Sequence, residues 1–196
     1  GGNLQYRTIK KKVGDTLQFA DYGPNATPPL QRAYYTLAGW SANSSASPDN
    51  PTYGVNGYVT IGATDATYYA IWKNHIKLFY WGGNSNTHDG TIIAKGLPIS
   101  NLTAARWNSL KAKIKEIASA QGNSAAFNAV SSNVASGDTI TADEYNGVRL
   151  SISLVTNHGT LPAAVTLGGP ILASYFNGTT SLKSALNAAI TAWNNS

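Results

Sequence analysis

Apolar residues recur at helical spacing in the second half of the chain. Positions i, i+3, i+7 and i+10 lie on one face of an α-helix. Two runs follow this spacing, namely Trp107, Leu110, Ile114 and Ile117, and Tyr145, Val148, Ile152 and Val155. A third run, of Phe176, Leu182, Leu186, Ile190 and Trp193, fits the same face over a longer distance. The pattern therefore predicts three helices within residues 96–196.

A short motif introduces each run. It consists of an aliphatic residue, a residue that is Thr in two copies, Ala, two variable positions, an aromatic residue and Asn. Its copies cover 102–110, 140–148 and 171–179, and their aromatic–Asn pairs are Trp107-Asn108, Tyr145-Asn146 and Phe176-Asn177. Thr103 and Thr141 stand where a helix N-cap belongs. We interpret the aromatic residue as a core anchor, and the Asn as a group that caps a neighbouring loop or holds the segment leading to the aromatic residue.

Residues 1 to about 75 instead alternate between apolar and polar positions, as β-strands do. Strands are predicted at 5–12, 16–19, 34–40, 58–61 and 67–72. The segments 21–29 and 41–51 contain Pro, Ser and Asn at positions that break regular structure, so they are predicted to be loops. Trp40 and Trp72 are the expected core aromatics of a small sheet.

Residues 76–95 predict a β-hairpin that joins the two halves. Its strands are 76–81 and 91–94, and 82–90 form a polar tip. Residues 78–81 are four large apolar or aromatic residues in succession, so both faces of the first strand must be covered. We therefore expect an α+β protein with a β module at 1–75, a hairpin junction at 76–95 and a helical repeat domain at 96–196.

The composition narrows the range of functions. Only 12% of the residues are charged, which is about half the usual share and suits a rigid surface or assembly protein. The net charge of +5 is diffuse, and the run Lys10-Lys11-Lys12 is interpreted as a solvated strand edge, so nucleic acid is not expected as a partner. The chain has no Cys, and no apolar stretch is long enough to span a bilayer, so no membrane association is expected. It opens with Gly1-Gly2 and contains no Met, as a processed or trimmed product would.

Residues that carry enzymatic chemistry are scarce. His75, His88 and His158 are scattered and have no metal-ligand spacing. Asp143 and Glu144 are adjacent carboxylates, but they fall in the first turn of a predicted helix, where they favour the helix macrodipole. The sequence therefore predicts no catalytic site, no metal, no cofactor and no enzyme activity.

Two aromatic motifs in the first half occur in a recognisable order. Tyr35-Thr36-Leu37-Ala38-Gly39-Trp40-Ser41 is followed, after a Ser-rich insert, by Thr67-Tyr68-Tyr69-Ala70-Ile71-Trp72-Lys73. Together they resemble the Listeria–Bacteroides repeat, the internalin B-repeat type of module, over about residues 5–73. Tyr34 replaces the Gly of the family pattern, and its Asp-x-Asn-Gly-Gly turn is missing. The resemblance implies a small β-grasp-like fold of bacterial surface and phage proteins, without enzyme activity.

The second half has a resemblance of its own. Gly137-Asp138-Thr139-Ile140-Thr141-Ala142-Asp143-Glu144-Tyr145-Asn146-Gly147-Val148-Arg149 is similar to segments that recur in structural proteins of phages infecting Gram-positive bacteria. The other two copies of the motif lack its Asp and its Arg. This resemblance covers about residues 96–196 and implies a part in virion assembly.

Two functional hypotheses follow. In the first, the chain is a bacteriophage virion protein, such as a capsid decoration, fibre or tail-appendage subunit, that associates with itself or with other virion proteins. In the second, it is an adhesin module at the bacterial cell surface or secreted from the cell. In either case Tyr53, Tyr58 and Tyr68 are candidates for an aromatic surface that binds a bacterial surface glycan.

Overall fold

The computed structural model describes residues 7–82 and 102–196. The chain divides into two compact units, Gly1–His75 and Ile76–Ser196. Antiparallel strands make up the first unit and helices dominate the second, which confirms the predicted α+β class.

The first unit, called the β unit below, contains two small antiparallel sheets within residues 7–75. The strands are β1 (Thr16–Gln18), β2 (Tyr35–Ser41), β3 (Tyr53–Gly54), β4 (Tyr58–Thr60) and β5 (Tyr69–Asn74), and a 3-10 helix covers Phe19–Tyr22. Strand β1 pairs with β4, and β2 lies between β3 and β5. The register of β2 against β5 shifts between Leu37 and Gly39, which marks a bulge.

Aromatic rings form the core of the β unit. Phe19 is 1% exposed, and its ring centroid lies 5.2 Å from those of Trp40 and Tyr53 and 5.3 Å from that of Tyr68. Leu17 and Leu37 are buried in the same cluster. Leu37 and Trp40 reach the same cluster although they are three residues apart, because the bulge in β2 interrupts the alternation between them.

The strand predicted at 5–12 is wrong over its described part, residues 7–12. These residues pair with no strand in the described chain, and all of them are exposed. The segment offers Ile9 as its one aliphatic residue before three lysines, so it has no apolar face to bury. A turn closed by the bond from the Asp15 amide to the Lys12 carbonyl, at 3.0 Å, follows it instead.

The second unit, called the helical unit below, has three long helices and two short ones in its described part. They are α1 (Ala104–Ala120), α2 (Ser124–Ala129), α3 (Ala142–Leu154), α4 (Ser174–Asn177) and α5 (Leu182–Asn194). The side chains of Thr103, Thr141 and Ser181 accept hydrogen bonds from the backbone amides of Arg106, Glu144 and Ser184, respectively, and so cap the three long helices.

The third helix does not follow the predicted pattern. Phe176 was expected to share one helix with Leu182, but it lies in the single turn α4, which ends where the Gly178 amide bonds to the Ser174 carbonyl at 2.9 Å. Ser181 then starts α5 with a cap of its own. Gly and the small hydroxyl residues 178–181 favour turns and caps over helix interiors, so they break the longer helix.

Residues 76–81 do not form the first strand of a hairpin. In the described chain this segment pairs with no strand; it has no regular secondary structure up to Tyr80, enters a turn at Trp81, and belongs to the helical unit. The expected second strand at 91–94 and residues 83–90 of the expected tip lie outside the described residues. Phe79 and Trp81 of the aromatic run are buried, but Leu78 is 38% exposed, so the expectation that both faces of this segment are covered is wrong.

We predict that Gly39→Ala destabilises the β unit by about 1–3 kcal/mol. A Cβ atom at this position in β2 would lie 2.7 Å from Cγ of Pro51, beneath the backbone of β3. The measurement is chemical denaturation followed by tryptophan fluorescence.

Gly54→Ala is the matched control. Gly54 faces Gly39 across the β2–β3 pair, yet a Cβ atom there meets nothing within 4 Å. An equal loss in both variants would contradict the packing explanation.

Candidate functional site

The helical unit holds extended backbone segments with side-chain amides. We define a clasp as an Asn or Gln side chain that donates to the carbonyl and accepts from the amide of one and the same residue. In an extended residue these two groups point to the same side, as in a hydrogen-bonded pair of an antiparallel sheet. A primary amide carries a donor and an acceptor side by side, so one side chain satisfies both groups.

Two of the motif residues form clasps. On α1, Asn108 Nδ2 donates to the Val134 carbonyl at 2.9 Å, and the Val134 amide donates to Asn108 Oδ1 at 2.9 Å. On α3, Asn146 contacts Val165 in the same way, at 2.7 and 3.0 Å. In each case the clasped residue follows its helix in the chain. The third motif residue, Asn177, is the last residue of α4.

Helix α5 carries two further clasps, which the sequence analysis missed. Asn187 contacts both backbone groups of Phe79, at 2.7 and 2.9 Å, and Asn194 contacts both groups of Ile76, at 2.7 and 2.9 Å. The two asparagines are seven residues apart and therefore share one face of α5. That spacing was the available signal, since two polar residues at i and i+7 beside an apolar stripe form a polar row along the helix.

Phe176 is the centre at which the aromatic residues meet. Its ring centroid is 6.1 Å from those of Trp107 and Tyr145 and 5.9 Å from that of Trp81. All four rings are buried, and Trp81 Nε1 donates to the Phe176 carbonyl at 3.0 Å. The three motif aromatics thus occupy one cluster, and residue 81 joins it from the extended segment.

A buried ion pair connects α1 to α3. Lys111 is 1% exposed and forms a salt bridge with Glu144. Glu144 also accepts hydrogen bonds from Trp107 Nε1 at 2.7 Å and from Ser131 Oγ at 3.0 Å. Lys111 Nζ donates in addition to the Ser132 carbonyl at 2.5 Å. Residues 131 and 132 lead to the clasped Val134, so the pair fixes the same segment that Asn108 holds.

Glu144 is therefore more than a first-turn carboxylate. Burial alone would raise its pKa, but hydrogen bonds from Lys111, Trp107 and Ser131, together with the charge of Lys111, hold the pKa below its ordinary value of 4.5. Lys111 lies between Leu110 and Ile114 on the apolar face of α1. A lysine on that face was the sequence signal for the pair.

The buried Tyr145 also has a hydrogen-bond partner for its polar group. Its hydroxyl donates to the Ala163 carbonyl at 3.2 Å. Burial, and then the neighbouring Tyr175, raise the pKa of Tyr145, so the hydroxyl stays a donor at physiological pH. The motif aromatic of α3 thus combines core packing with a bond to the segment that Asn146 clasps at Val165.

The three tyrosines considered for glycan binding do not share one surface. Tyr53 and Tyr68 are partly buried, their ring centroids are 5.7 Å apart, and both pack against Phe19. Tyr58 is 64% exposed, because β4 directs the next residue, Val59, towards the core. Tyr58 is thus the member of this set that solvent reaches freely.

Comparisons of the chain with protein-family models, with curated proteins and with solved structures give no match. Among residues 7–82 and 102–196, no three His, Cys, Asp or Glu side chains come together as metal ligands would. None of the helices in these ranges is long and apolar enough to cross a membrane. The arrangement in the helical unit is suited to binding extended polypeptide.

We predict that Asn146→Ala lowers the free energy of unfolding of the helical unit by roughly 1–3 kcal/mol. The substitution leaves the amide and carbonyl of Val165 without their partner. Asn128→Ala is the matched control, since Asn128 is an exposed helical Asn on α2. Urea denaturation followed by circular dichroism measures both variants, and equal losses would contradict a role for the clasp.

We predict that Glu144→Gln destabilises the helical unit by about 3–5 kcal/mol, because it leaves the charge of Lys111 buried without a counter-charge. Asp143→Asn is the control. It removes an exposed carboxylate from the same helical turn and is expected to cost less than about 1 kcal/mol. The measurement is urea denaturation at neutral pH.

The pH dependence of this difference tests its origin. The folded-state pKa of Glu144 is depressed, so the pair contributes fully above pH 4.5, and its contribution is lost as the pH falls through the folded pKa. The gap between the wild type and Glu144→Gln should therefore be constant above pH 4.5 and shrink below it. A gap that persists unchanged in acid would exclude the ion pair as its source.

Proposed function

We propose that the protein is a non-enzymatic structural protein of a bacteriophage virion, a capsid decoration, fibre or tail-appendage subunit. In this proposal the helical unit is the assembly element and the β unit is the displayed element. The observation that carries the proposal is the structural role of the residues in the phage-like motif. Two of its asparagines, Asn108 and Asn146, are occupied in holding backbone, and its aromatics fill one buried cluster.

Architecture of this kind supports a mechanical role. The motif residues spend their polar groups on internal bonds, and the buried pair of Lys111 and Glu144 is satisfied from several sides. A polar network in which every donor and acceptor has a partner makes a core rigid. Its side chains are occupied by internal bonds and are not available to act on a substrate. A rigid unit with few surface charges is what repeated packing into a particle requires.

We further propose that the β unit is a β-grasp-like module of the Listeria–Bacteroides type. Tyr34, which stands where that family has Gly, adopts a φ of 67°, the left-handed region that favours glycine. Gly39, in the Gly-Trp-Ser part of the motif, lies too close to Pro51 for any side chain. Both positions support the resemblance on backbone grounds.

Apolar exposure supports self-association of the helical unit. Leu150 and Leu154, one turn apart on α3, are 54% and 39% exposed. Clusters of exposed apolar side chains are characteristic of surfaces that other molecules cover. In this proposal a second copy of the chain covers them.

We predict that the purified chain forms defined oligomers. Closed or helical assemblies bury an interface of roughly 1,200 Å² or more, enough to persist through size exclusion. The measurement is light scattering after size exclusion, with negative-stain images of the same peak. Trimers, rings or filaments are the expected result.

A clean monomer at high concentration that binds bacterial cells would overturn the proposal and favour the adhesin module. Tyr58 then becomes the first residue to substitute. Tyr58→Ala removes an exposed ring, whereas Tyr53→Ala would disturb the aromatic core and is unsuitable as a binding probe.

A further inference from the structure

Residues 76–81, called the strap below, bind to the helical unit in the manner of an extended peptide. Ile76, Phe79 and Trp81 are 1%, 4% and 2% exposed, whereas Lys77 and Leu78 are exposed. The strap is held by the clasps of Asn194 and Asn187 and by the bond from Trp81 Nε1 to the Phe176 carbonyl. Buried anchor side chains together with backbone bonds are the two elements by which proteins recognise extended peptides.

The strap differs from the other clasped segments in its distance along the chain. Val134 lies 26 residues after Asn108, and Val165 lies 19 residues after Asn146. The strap instead precedes its clasps by 108 residues at Asn187 and 118 at Asn194. Gln121, at the end of α1, holds Thr156, which lies 35 residues later. Helices α1 and α3 therefore hold segments that follow within 35 residues, whereas α5 holds a segment from the far end of the unit.

We propose that the strap-binding face, which consists of α5 with Asn187 and Asn194 together with Phe176, accepts the strap of a second copy of this chain. The copies are thereby linked head to tail. This inference rests on the proposed function, since it specifies the contact by which the virion subunit assembles.

Chemical identity makes the exchange feasible. A strap from another copy offers the same anchors and the same backbone groups, so the contacts within one chain and between chains are equivalent. Whether a strap binds to its own chain or to another copy depends on the effective concentration of the strap at each acceptor. Within one chain, this concentration falls as the connection between the strap and its acceptor becomes longer. Residues 82–103 join the strap to α1, and a chain of that length spans at most roughly 70–80 Å.

The geometry of the link also suits a virion. The strap and its acceptor are different surfaces, so the contact is heterologous and generates rings or filaments rather than only pairs. Since the β unit directly precedes the strap in the chain, every exchanged strap ties a β unit to the helical unit of the neighbouring copy.

The absence of Cys from the chain permits a clean test by crosslinking. Lys77→Cys and Asn195→Cys are single substitutions at exposed positions, each adjacent to one partner of the Ile76–Asn194 clasp. The two full-length chains, one bearing a mass tag, are refolded as a mixture, separated by size and treated with a short bismaleimide. Exchange predicts a mixed product of twice the 20.6 kDa chain mass, plus the tag, in the oligomer fraction.

Two matched experiments complete the test. A single chain carrying both cysteines reports the closed form as an internal crosslink. Asn187→Ala with Asn194→Ala, added to both single-cysteine chains, removes the clasps and should reduce the mixed product about tenfold or more. A double control at Asn128 and Asn195 is not possible, because position 195 carries one of the cysteines. Asn128→Ala alone therefore serves as the control, and it should leave the amount of mixed product unchanged.

The outcomes separate this inference from the proposed function. Mixed crosslinks that depend on Asn187 and Asn194 support strap exchange. Oligomers in which the double-cysteine chain forms internal crosslinks only, and the mixture forms none, overturn exchange but leave a self-assembling virion protein. Monomers with internal crosslinks at every concentration overturn exchange, and they overturn the virion proposal as well if these monomers bind bacterial cells.

Discussion

Backbone amides and carbonyls outside regular structure need partners once they are covered, and the helical unit meets this need with side-chain amides. Within residues 7–82 and 102–196, five residues receive both bonds from one side chain, namely Ile76, Phe79, Val134, Val165 and, from Gln121, Thr156. An unpaired buried backbone group costs free energy comparable to a lost hydrogen bond. The clasps thus allow extended segments to lie against helices without any sheet.

The buried pair and the aromatic cluster depend on those segments being in place. Lys111 and Glu144 reach Ser131 and Ser132 because Asn108 fixes Val134 close by. Buried ion pairs give little net stability, yet they penalise arrangements that separate the charges. Removing one partner of the pair therefore costs more free energy than the intact pair contributes by itself.

Much of this architecture could be predicted from the residues. Periodic apolar positions mark α1 and α3, and Thr103 and Thr141 mark their starts, because caps and amphipathic faces are local properties. The strap could not be assigned, since residues 76–81 satisfy the pattern of a strand and only the distant Asn187 and Asn194 decide otherwise. Lys111 was missed for a similar reason, because its partner Glu144 lies on another helix and had a sufficient local role of its own.

The position of the strap also has a consequence during synthesis. Ile76 leaves the ribosome 118 residues ahead of Asn194, so the apolar strap exists for a time before its acceptor. At translation rates of about 5–20 residues per second, that interval lasts roughly 6–24 seconds. In the proposed exchange, a copy that was synthesised earlier can offer its α5 to the strap during this interval.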